Sequence, residues 1–284
     1  MMKFYKYQGA GNDFLVVDNR SRAISLSPEQ ITALCDRRYG VGADGLMLLE
    51  EDEEGRYDFR MVYFNSDGSG GMMCGNGGRC IVAFAADMGV VPSVPDGTYL
   101  FEAADGPHTA QVLEDNNGLK TVRLKMKDVS EIVRYDGLSG VEGMSDGWFL
   151  DTGTRHFVRR VTGLEDYDVV GEGRKIRYGA EELKPVGANV NFIEPSDRVL
   201  KVRTYEKGVE DETFACGTGI VASCIAAYKS GIQPTEMTSE SVVRYDVKAK
   251  RDALSVDFRP AGDVCEDVYL TGPAAFVAEV VVYL

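Results

Sequence analysis

Cys74-Gly75-Asn76-Gly77-Gly78-Arg79-Cys80-Ile81-Val82-Ala83-Phe84-Ala85-Ala86-Asp87-Met88-Gly89 and Cys216-Gly217-Thr218-Gly219-Ile220-Val221-Ala222-Ser223-Cys224-Ile225-Ala226-Ala227-Tyr228-Lys229-Ser230-Gly231 are two copies of one segment. They align without a gap. Each opens on Cys-Gly-x-Gly, continues in helix-forming composition and stops at a glycine, the residue that suits a helix C-terminus. A strand pattern ending in an aromatic and a polar residue precedes each, Phe64-Asn65 nine positions before Cys74 and Tyr205-Glu206 ten before Cys216. The repeat is therefore strand, polar loop, Cys-Gly-x-Gly, helix.

Working outward, the chain has 284 residues, enough for about two domains. Two copies 142 positions apart match that estimate, and the turn Asp115-Asn116-Asn117-Gly118 reads as the linker. This predicts a first domain over 1–118 and a second over 119–273, with the functional site between the halves. Strand patterns dominate: Phe4–Gln8, Phe14–Asp18, Leu46–Glu50, Tyr57–Phe64, Tyr99–Ala103, Thr109–Leu113, Leu119–Met126, Leu200–Tyr205, Leu254–Phe258 and Phe276–Tyr283. A third helix opens at Ser27-Pro28-Glu29-Gln30, a capping box with proline at the first helical position, and is expected to end near Arg37-Arg38. The acidic run Glu50 to Glu54 reads as a solvated hairpin tip.

Composition removes several classes of function. Lys and Arg number 31 against 45 Asp and Glu, a net charge of −14, and no basic stripe exists to displace the counterions of a phosphate backbone, so nucleic acid is not expected as a partner. The start carries no apolar signal segment, and the run Ala274 to Leu284 is far below the roughly 20 residues of a membrane helix. No membrane association is expected, and the cytoplasm is the expected compartment. Six cysteines are too sparse for a disulfide scaffold, and their C-x₅-C and C-x₇-C intervals with isolated His108 and His156 do not make a zinc site; no metal is expected. Walker and dinucleotide-binding glycine patterns are missing. Gly143-Met144-Ser145-Asp146-Gly147 has the spacing of a nucleophile elbow but lacks its strand-and-helix context, and reads as a turn.

What remains is the paired thiol. Cys-Gly-x-Gly at a helix start sets a sulfur beside unpaired backbone N–H groups and the positive end of the helix dipole, which favours thiolate over the ordinary cysteine pKa of about 8.5. The same N–H groups bind a carboxylate. Two such starts facing one small anion have the geometry to remove a proton from one face of a carbon and return one to the other. Cys74 and Cys216 are thus read as a two-base pair, while Cys35, Cys80 and Cys224 read as core and Cys265 stays open.

Several further blocks, in order along nearly the whole chain, resemble the diaminopimelate epimerase family. These are Gly9-Ala10-Gly11-Asn12-Asp13-Phe14, Phe64-Asn65-Ser66-Asp67-Gly68-Ser69, Gly187-Ala188-Asn189-Val190-Asn191-Phe192, and Tyr205-Glu206-Lys207-Gly208 with Glu212-Thr213-Phe214-Ala215 before Cys216. The resemblance implies an α+β fold of two pseudo-symmetric domains, each a mostly antiparallel strand barrel around a central helix, the first completed by the C-terminal strand 274–284. It implies epimerisation of LL- to meso-2,6-diaminopimelate without pyridoxal phosphate or any other cofactor, within lysine and peptidoglycan precursor biosynthesis, and a homodimer. Matched motif by motif, Cys74 and Cys216 are the acid/base pair and His156 and Glu206 tune them. The helix-start amides of Gly75, Asn76, Gly217 and Thr218 hold the α-carboxylate of the small diamino diacid. Asn12, Asn65, Asn189, Glu206 and Lys207 contact the rest. Three departures bear on recognition: Gly153-Thr154-Arg155-His156 replaces the usual Gly-Asn-Pro-His, Lys207 replaces an arginine, and loop Val209–Thr213 is one residue longer. A cofactor-independent racemase of another amino acid is the alternative they leave open.

Overall fold

The computed structural model describes residues 1–283 apart from Met72, Met144 and Ser145, so the centre of the Gly143–Gly147 turn lies outside the described residues. The chain divides into two units, Met1–Lys125 with Thr271–Leu284, and Met126–Leu270. The first contains β1 (Met2–Gly9), β2 (Asn12–Asp18), α1 (Pro28–Cys35), β3 (Gly45–Glu50), β4 (Phe59–Asn65), α2 (Gly75–Asp87), β5 (Thr98–Ala103), β6 (Gly106–Asn116) and β7 (Leu119–Lys125). The second contains β8 (Ile132–Tyr135), β9 (Gly147–Asp151), β10 (Arg155–Arg160), α3 (Val169–Gly179), β11 (Asn189–Ser196), β12 (Val199–Glu206), β13 (Asp211–Thr213), α4 (Gly217–Lys229), β14 (Glu236–Met237), β15 (Val243–Lys248) and β16 (Ala253–Ala261). A long strand, β17 (Val264–Val282), begins in the second unit and ends in the first.

In the first unit the strands close on themselves. Pairing runs β1-β2-β3-β4-β5-β6-β7-β17 and back to β1, antiparallel except for β2–β3 and β4–β5. Closure removes every exposed strand edge. Helix α2 packs against β1, β2, β3, β6 and β7, and its residues Gly75 to Ala85 are all buried. Its Gly, Ala and Val content explains the position, because a helix without a polar face belongs inside and small side chains let strands approach it from several sides. The two parallel pairs are the ones joined through helices: α1 connects β2 to β3, and α2 connects β4 to β5.

The second unit repeats this series. Pairing runs β8-β9 and β9-β10 antiparallel, β10-β11 parallel, β11-β12 antiparallel, β12-β15 parallel and β15-β16 antiparallel, with α3 and α4 at the parallel crossings. Helix α4 packs against β9, β10, β11, β12 and β16 and is buried from Gly217 to Ala227 except at Thr218. Mostly antiparallel strands around a central helix, twice over, is the α+β architecture the resemblance implied.

Three readings of the sequence need correction. The turn at Asp115–Gly118 is no linker: Asn117 and Gly118 both have positive φ and close the β6–β7 hairpin, so β7 belongs to the first unit and the division falls after Lys125. Asn-Gly is the strongest short hairpin signal, since a two-residue turn of matching twist needs positive φ at both positions. Helix α1 has the expected capping box, with Ser27 N donating to Gln30 Oε1 at 2.9 Å, but ends at Cys35. Arg37 leaves the helix to pair with Asp13 and Asp44, each at 2.6 Å. Helix α3 escaped notice because Gly171 and Gly173 each weaken an isolated helix by about 1 kcal/mol.

Tertiary packing explains Gly173. A Cβ there would stand 2.4 Å from Tyr205 Cβ, so only glycine lets α3 lie against β12. Gly173→Ala should therefore destabilise the protein by about 1–3 kcal/mol in urea unfolding. Gly70→Ala, where a Cβ meets nothing within 4 Å, should stay within about 0.5 kcal/mol. Equal midpoints for the two variants would contradict this packing argument.

Candidate active site

Cys74 is the N-cap of α2, in extended backbone (φ −113°, ψ 155°), and its Sγ accepts a hydrogen bond from Gly77 N at 3.2 Å. The sulfur stands where a serine or aspartate oxygen usually satisfies the first free N–H groups of a helix. Glycines around it are spacers. A Cβ on Gly77 would touch Cys74 Sγ at 3.3 Å, and one on Gly78 would meet Leu124 Cδ2 and Met73 Sδ at 2.9 Å. Beside them Arg79, wholly buried, donates through Nη1 to Gly75 O and through Nη2 to Asn76 Oδ1, both at 3.0 Å. That bond turns the Asn76 amide so that Nδ2 faces Asn12 Oδ1 at 3.5 Å, and Asn12 in turn donates to Asp44 Oδ2 at 2.5 Å. Asn65 ends β4, where its Nδ2 donates to Ser69 Oγ at 3.0 Å.

Cys216 is the N-cap of α4, also extended (φ −99°, ψ 111°) and only 9% exposed. Its Sγ lies 3.4 Å from Thr218 Oγ1. Thr218 Oγ1 stands 3.0 Å from both Thr154 Oγ1 and His156 Nε2, and Thr154 Oγ1 is 2.9 Å from that nitrogen. Thr152 Oγ1 donates to Thr218 O at 3.1 Å. His156 is fully buried, and burial lowers its pKa from 6.5 to about 3, so the ring is neutral at working pH. It works through hydrogen bonds rather than as a cation. A Cβ on Gly219 would reach 2.4 Å from Asn191 Oδ1 and 3.2 Å from His156 Cε1, which explains the second glycine of this copy.

The remaining residues singled out from sequence divide by unit. Asn189 begins β11, and its amide is engaged at both ends: Nδ2 donates to Arg155 O at 3.2 Å and Oδ1 accepts from Lys207 N at 2.8 Å. Glu206 ends β12. Lys207 is exposed and enters this cluster through its backbone N–H. The first unit thus joins Gly75, Asn76 and Asn12 to the helix start at Cys74 through Arg79, and holds Asn65 at the end of β4 with its amide on Ser69. The second gathers Cys216, Gly217, Thr218, His156, Asn189, Glu206 and Lys207.

Strand register shows how closely the two gatherings correspond. The pairings Phe14↔Gly45 and Gly45↔Asn65 have as counterparts His156↔Asn189 and, one step beyond the antiparallel pair Val190↔Tyr205, Glu206 opposite Asn189. Hence Asn65 and Glu206 hold one position in the two units, Gly45 and Asn189 another, and Phe14 and His156 a third. Asn12 to Asn76 in one unit likewise becomes Thr154 to Thr218 in the other. Sequence reading missed Asp44, Asn191 and Thr204. Alternation was the available signal for the last two, since Asn191 shares a strand face with Asn189, and Thr204 with Glu206.

The four other cysteines are chemically separate. Burial pushes the Cys35 and Cys265 thiols up to about 11, Cys80 up to about 12 and Cys224 well above its ordinary range. They stay protonated. Among the described residues no cluster of three or more His, Cys, Asp and Glu side chains has a metal-holding arrangement, and no helix is long and apolar enough to cross a membrane. Each helix start can do the same two things: offer a sulfur that exchanges a proton, and bind a carboxylate at the first N–H groups of the helix.

Burial of neutral His156 makes stability depend on acid. The unfolded chain takes up the ring proton below its ordinary 6.5 while the folded chain refuses it until about 3. Between those values the unfolded state binds more protons, so stability is complete above pH 6.5 and falls with pH by at most about 1.4 kcal/mol per unit. Urea midpoints between pH 7 and 5 should fall more steeply for the native protein than for His156→Gln. Parallel slopes would remove His156 as their cause.

A family model described as "Diaminopimelate epimerase" matches residues 4–130. The diaminopimelate epimerase of Flavobacterium psychrophilum is 41% identical over 283 residues, covering 98% of this chain and 99% of that one. That of Chlorobaculum tepidum is 45% identical over 270 residues, covering 95% and 96%. Among solved structures, a Bacillus anthracis phenazine biosynthesis protein of the PhzF family superposes with TM-score 0.72 at 16% identity, covering 100% of this chain and 99% of that one. A probable proline racemase from Agrobacterium radiobacter does so at 0.68 and 16%, covering 100% and 93%. At that identity the structural likeness speaks for the fold.

Proposed function

The chain belongs to the diaminopimelate epimerase family, and from that premise we propose that it interconverts LL- and meso-2,6-diaminopimelate, with Cys74 and Cys216 as its two acid/base groups and no cofactor. The observation that carries this reading is a thiol at the N-cap of a buried helix, occurring twice on one pairing series. One sulfur enters the cycle as thiolate and takes the α-proton; the other enters as thiol and delivers its proton to the opposite face of the carbon. The product leaves with inverted configuration, and the two sulfurs have exchanged protonation states. Both must therefore reach one α-carbon.

An α-proton is weakly acidic until the adjacent carboxylate can carry developing negative charge. The helix-start N–H groups of Gly75, Asn76, Gly217 and Thr218 are fixed dipoles suited to that charge, and fixed donors need no reorganisation as it grows. Asn12, Asn65, Asn189, Glu206 and Lys207 are assigned to the other polar groups of the substrate. Glu206, the charged counterpart of Asn65, suits an ammonium group and tunes the thiols together with His156. Asn189 keeps its second Nδ2 hydrogen and second Oδ1 lone pair for a ligand after bonding Arg155 O and Lys207 N.

The first departure from the usual motif fits this reading. Thr154 replaces an asparagine yet bonds both Thr218 and His156, and the Arg155 side chain turns to Leu183 O at 3.2 Å and to the Phe149 ring at 4.9 Å. Family resemblance supports a homodimer, and reliance on two free thiols supports a reducing cytoplasm. Incubation with meso-diaminopimelate in D₂O should place deuterium at an α-carbon. Cys74→Ala and Cys216→Ala should each lower turnover by about 10²–10⁴-fold or more. Exchange in another amino acid but none in diaminopimelate would favour the racemase alternative, and full activity of either variant would overturn the two-thiol reading.

A further inference from the structure

Three strand positions are polar in one unit and largely apolar in the other. By register, His156, Asn191 and Thr204 in β10, β11 and β12 are the counterparts of Phe14, Met47 and Tyr63 in β2, β3 and β4. Phe14 and Met47 are fully buried, and the Phe14 and Tyr63 rings meet with centroids 6.0 Å apart. The scaffold therefore closes with aromatic and thioether side chains at these places, the Tyr63 hydroxyl being the one polar group among them. In the second unit all three side chains are buried, and burying an amide, an imidazole and a hydroxyl costs stability unless each is hydrogen-bonded. Packing alone does not account for them.

Their hydrogen bonds run in one direction. Thr204 Oγ1 donates to Asn191 Oδ1 at 2.9 Å. Asn191 Nδ2 lies 3.4 Å from Phe157 O, and because a carbonyl only accepts, the amide nitrogen must be on that side. The same Nδ2 is 3.0 Å from His156 Nδ1, so it donates there and Nδ1 carries no proton. In a neutral ring the proton is then on Nε2, which faces Thr154 Oγ1 at 2.9 Å and Thr218 Oγ1 at 3.0 Å. With both hydroxyl oxygens accepting from Nε2–H, each hydroxyl keeps one hydrogen, and the order Thr154 to Thr218 Oγ1 at 3.0 Å and Thr218 to Cys216 Sγ at 3.4 Å gives each of these contacts one donor and leaves the sulfur as acceptor. The single Nε2–H is shared between the two oxygens, and each hydroxyl hydrogen is used once. The opposite tautomer would set Nδ1–H against the Asn191 amide hydrogens and reverse every bond that follows.

We propose that Asn191, held by Thr204, is a positioning residue that fixes His156 as the Nε2–H tautomer and so aims the Thr218 hydroxyl hydrogen at Cys216 Sγ, stabilising its thiolate. The reading rests on Cys216 being one of the two acid/base groups. Gly219 serves the same end, since its missing Cβ gives Asn191 and His156 their places against the first turn of α4.

The chain has only two histidines, His108 and His156, so ring nitrogens are assignable in ¹⁵N-labelled protein through long-range ¹H–¹⁵N correlation. The native His156 should be the Nε2–H tautomer. Asn191→Asp, which offers an acceptor in place of the amide donor, should convert it to Nδ1–H and slow alkylation of Cys216 at pH 7.5 by about tenfold or more, with Cys74 alkylation unchanged. Thr204→Val, which frees the amide to turn, should give both tautomers. In deuterium exchange from meso-diaminopimelate, Asn191→Asp should lower kcat far more than it changes KM. A native His156 protonated on Nδ1 overturns the proposal whether or not any variant folds, and so does Asn191→Asp with Cys216 alkylation at the native rate. Loss of α-exchange in the native protein with the Nε2–H tautomer present would strike at the proposed reaction and leave the positioning role standing.

Discussion

A helix enclosed by strands leaves its first four N–H groups with no partner of its own and little water to replace them. Everything at the candidate site follows from how that constraint is met. In α2 and α4 the capping position holds a cysteine, whose sulfur is a weak acceptor, so the N–H groups retain much of their pull on an incoming anion. Enclosure requires the helix to be apolar and thin, which is why glycine and alanine fill both segments. The same thinness lets Met73, Leu124, His156 and Asn191 approach the first turn closely enough that a single added Cβ at Gly78 or Gly219 would collide. Fold and reactivity are set by one arrangement.

That arrangement occurs twice on one pairing series, and the two occurrences differ. In the first unit the helix start is braced by Arg79, Asn76, Asn12 and Asp44, a chain of amides ending on charged groups. In the second it is braced by hydroxyls and a neutral imidazole, Thr218, Thr154 and His156, backed by Asn191 and Thr204. Two sulfurs in identical surroundings would ionise alike. A reaction that begins with one thiolate and one thiol gains from unlike surroundings, and the register positions occupied by Phe14, Met47 and Tyr63 against His156, Asn191 and Thr204 supply the difference. Because the low-dielectric interior strengthens each hydrogen bond, a few changed side chains suffice.

Much of this was legible in the order of residues. The duplicated Cys-Gly-x-Gly with its helix, the capping box at Ser27 and most strands of the first unit follow from local chemistry: turn residues, alternation and propensity act over a few positions. The second unit was less legible between Ile132 and Ser196. Its strands there are short, and α3 carries two glycines whose purpose, visible in Gly173 against Tyr205, lies on another strand. The Asn117-Gly118 turn carries a local hairpin signal, but where the first unit ends is not local: β7 pairs with β6 across the turn and, on its other side, with Gly272 to Ala275 of β17, far along the chain.

Local sequence therefore settled which residues can act: two cysteines at helix starts, glycines that leave room, and polar residues in the flanking blocks. It could not say which groups meet. Register across parallel and antiparallel pairs joins residues separated by tens of positions, and only that register gives Asn65 and Glu206 equivalent positions in their own units, binds both ends of the Asn189 amide, and lines up Thr204, Asn191, His156 and Thr218 toward Cys216. The reason is physical. Propensity and capping depend on near neighbours along the chain, whereas burial, tautomer and hydrogen-bond direction depend on neighbours in space.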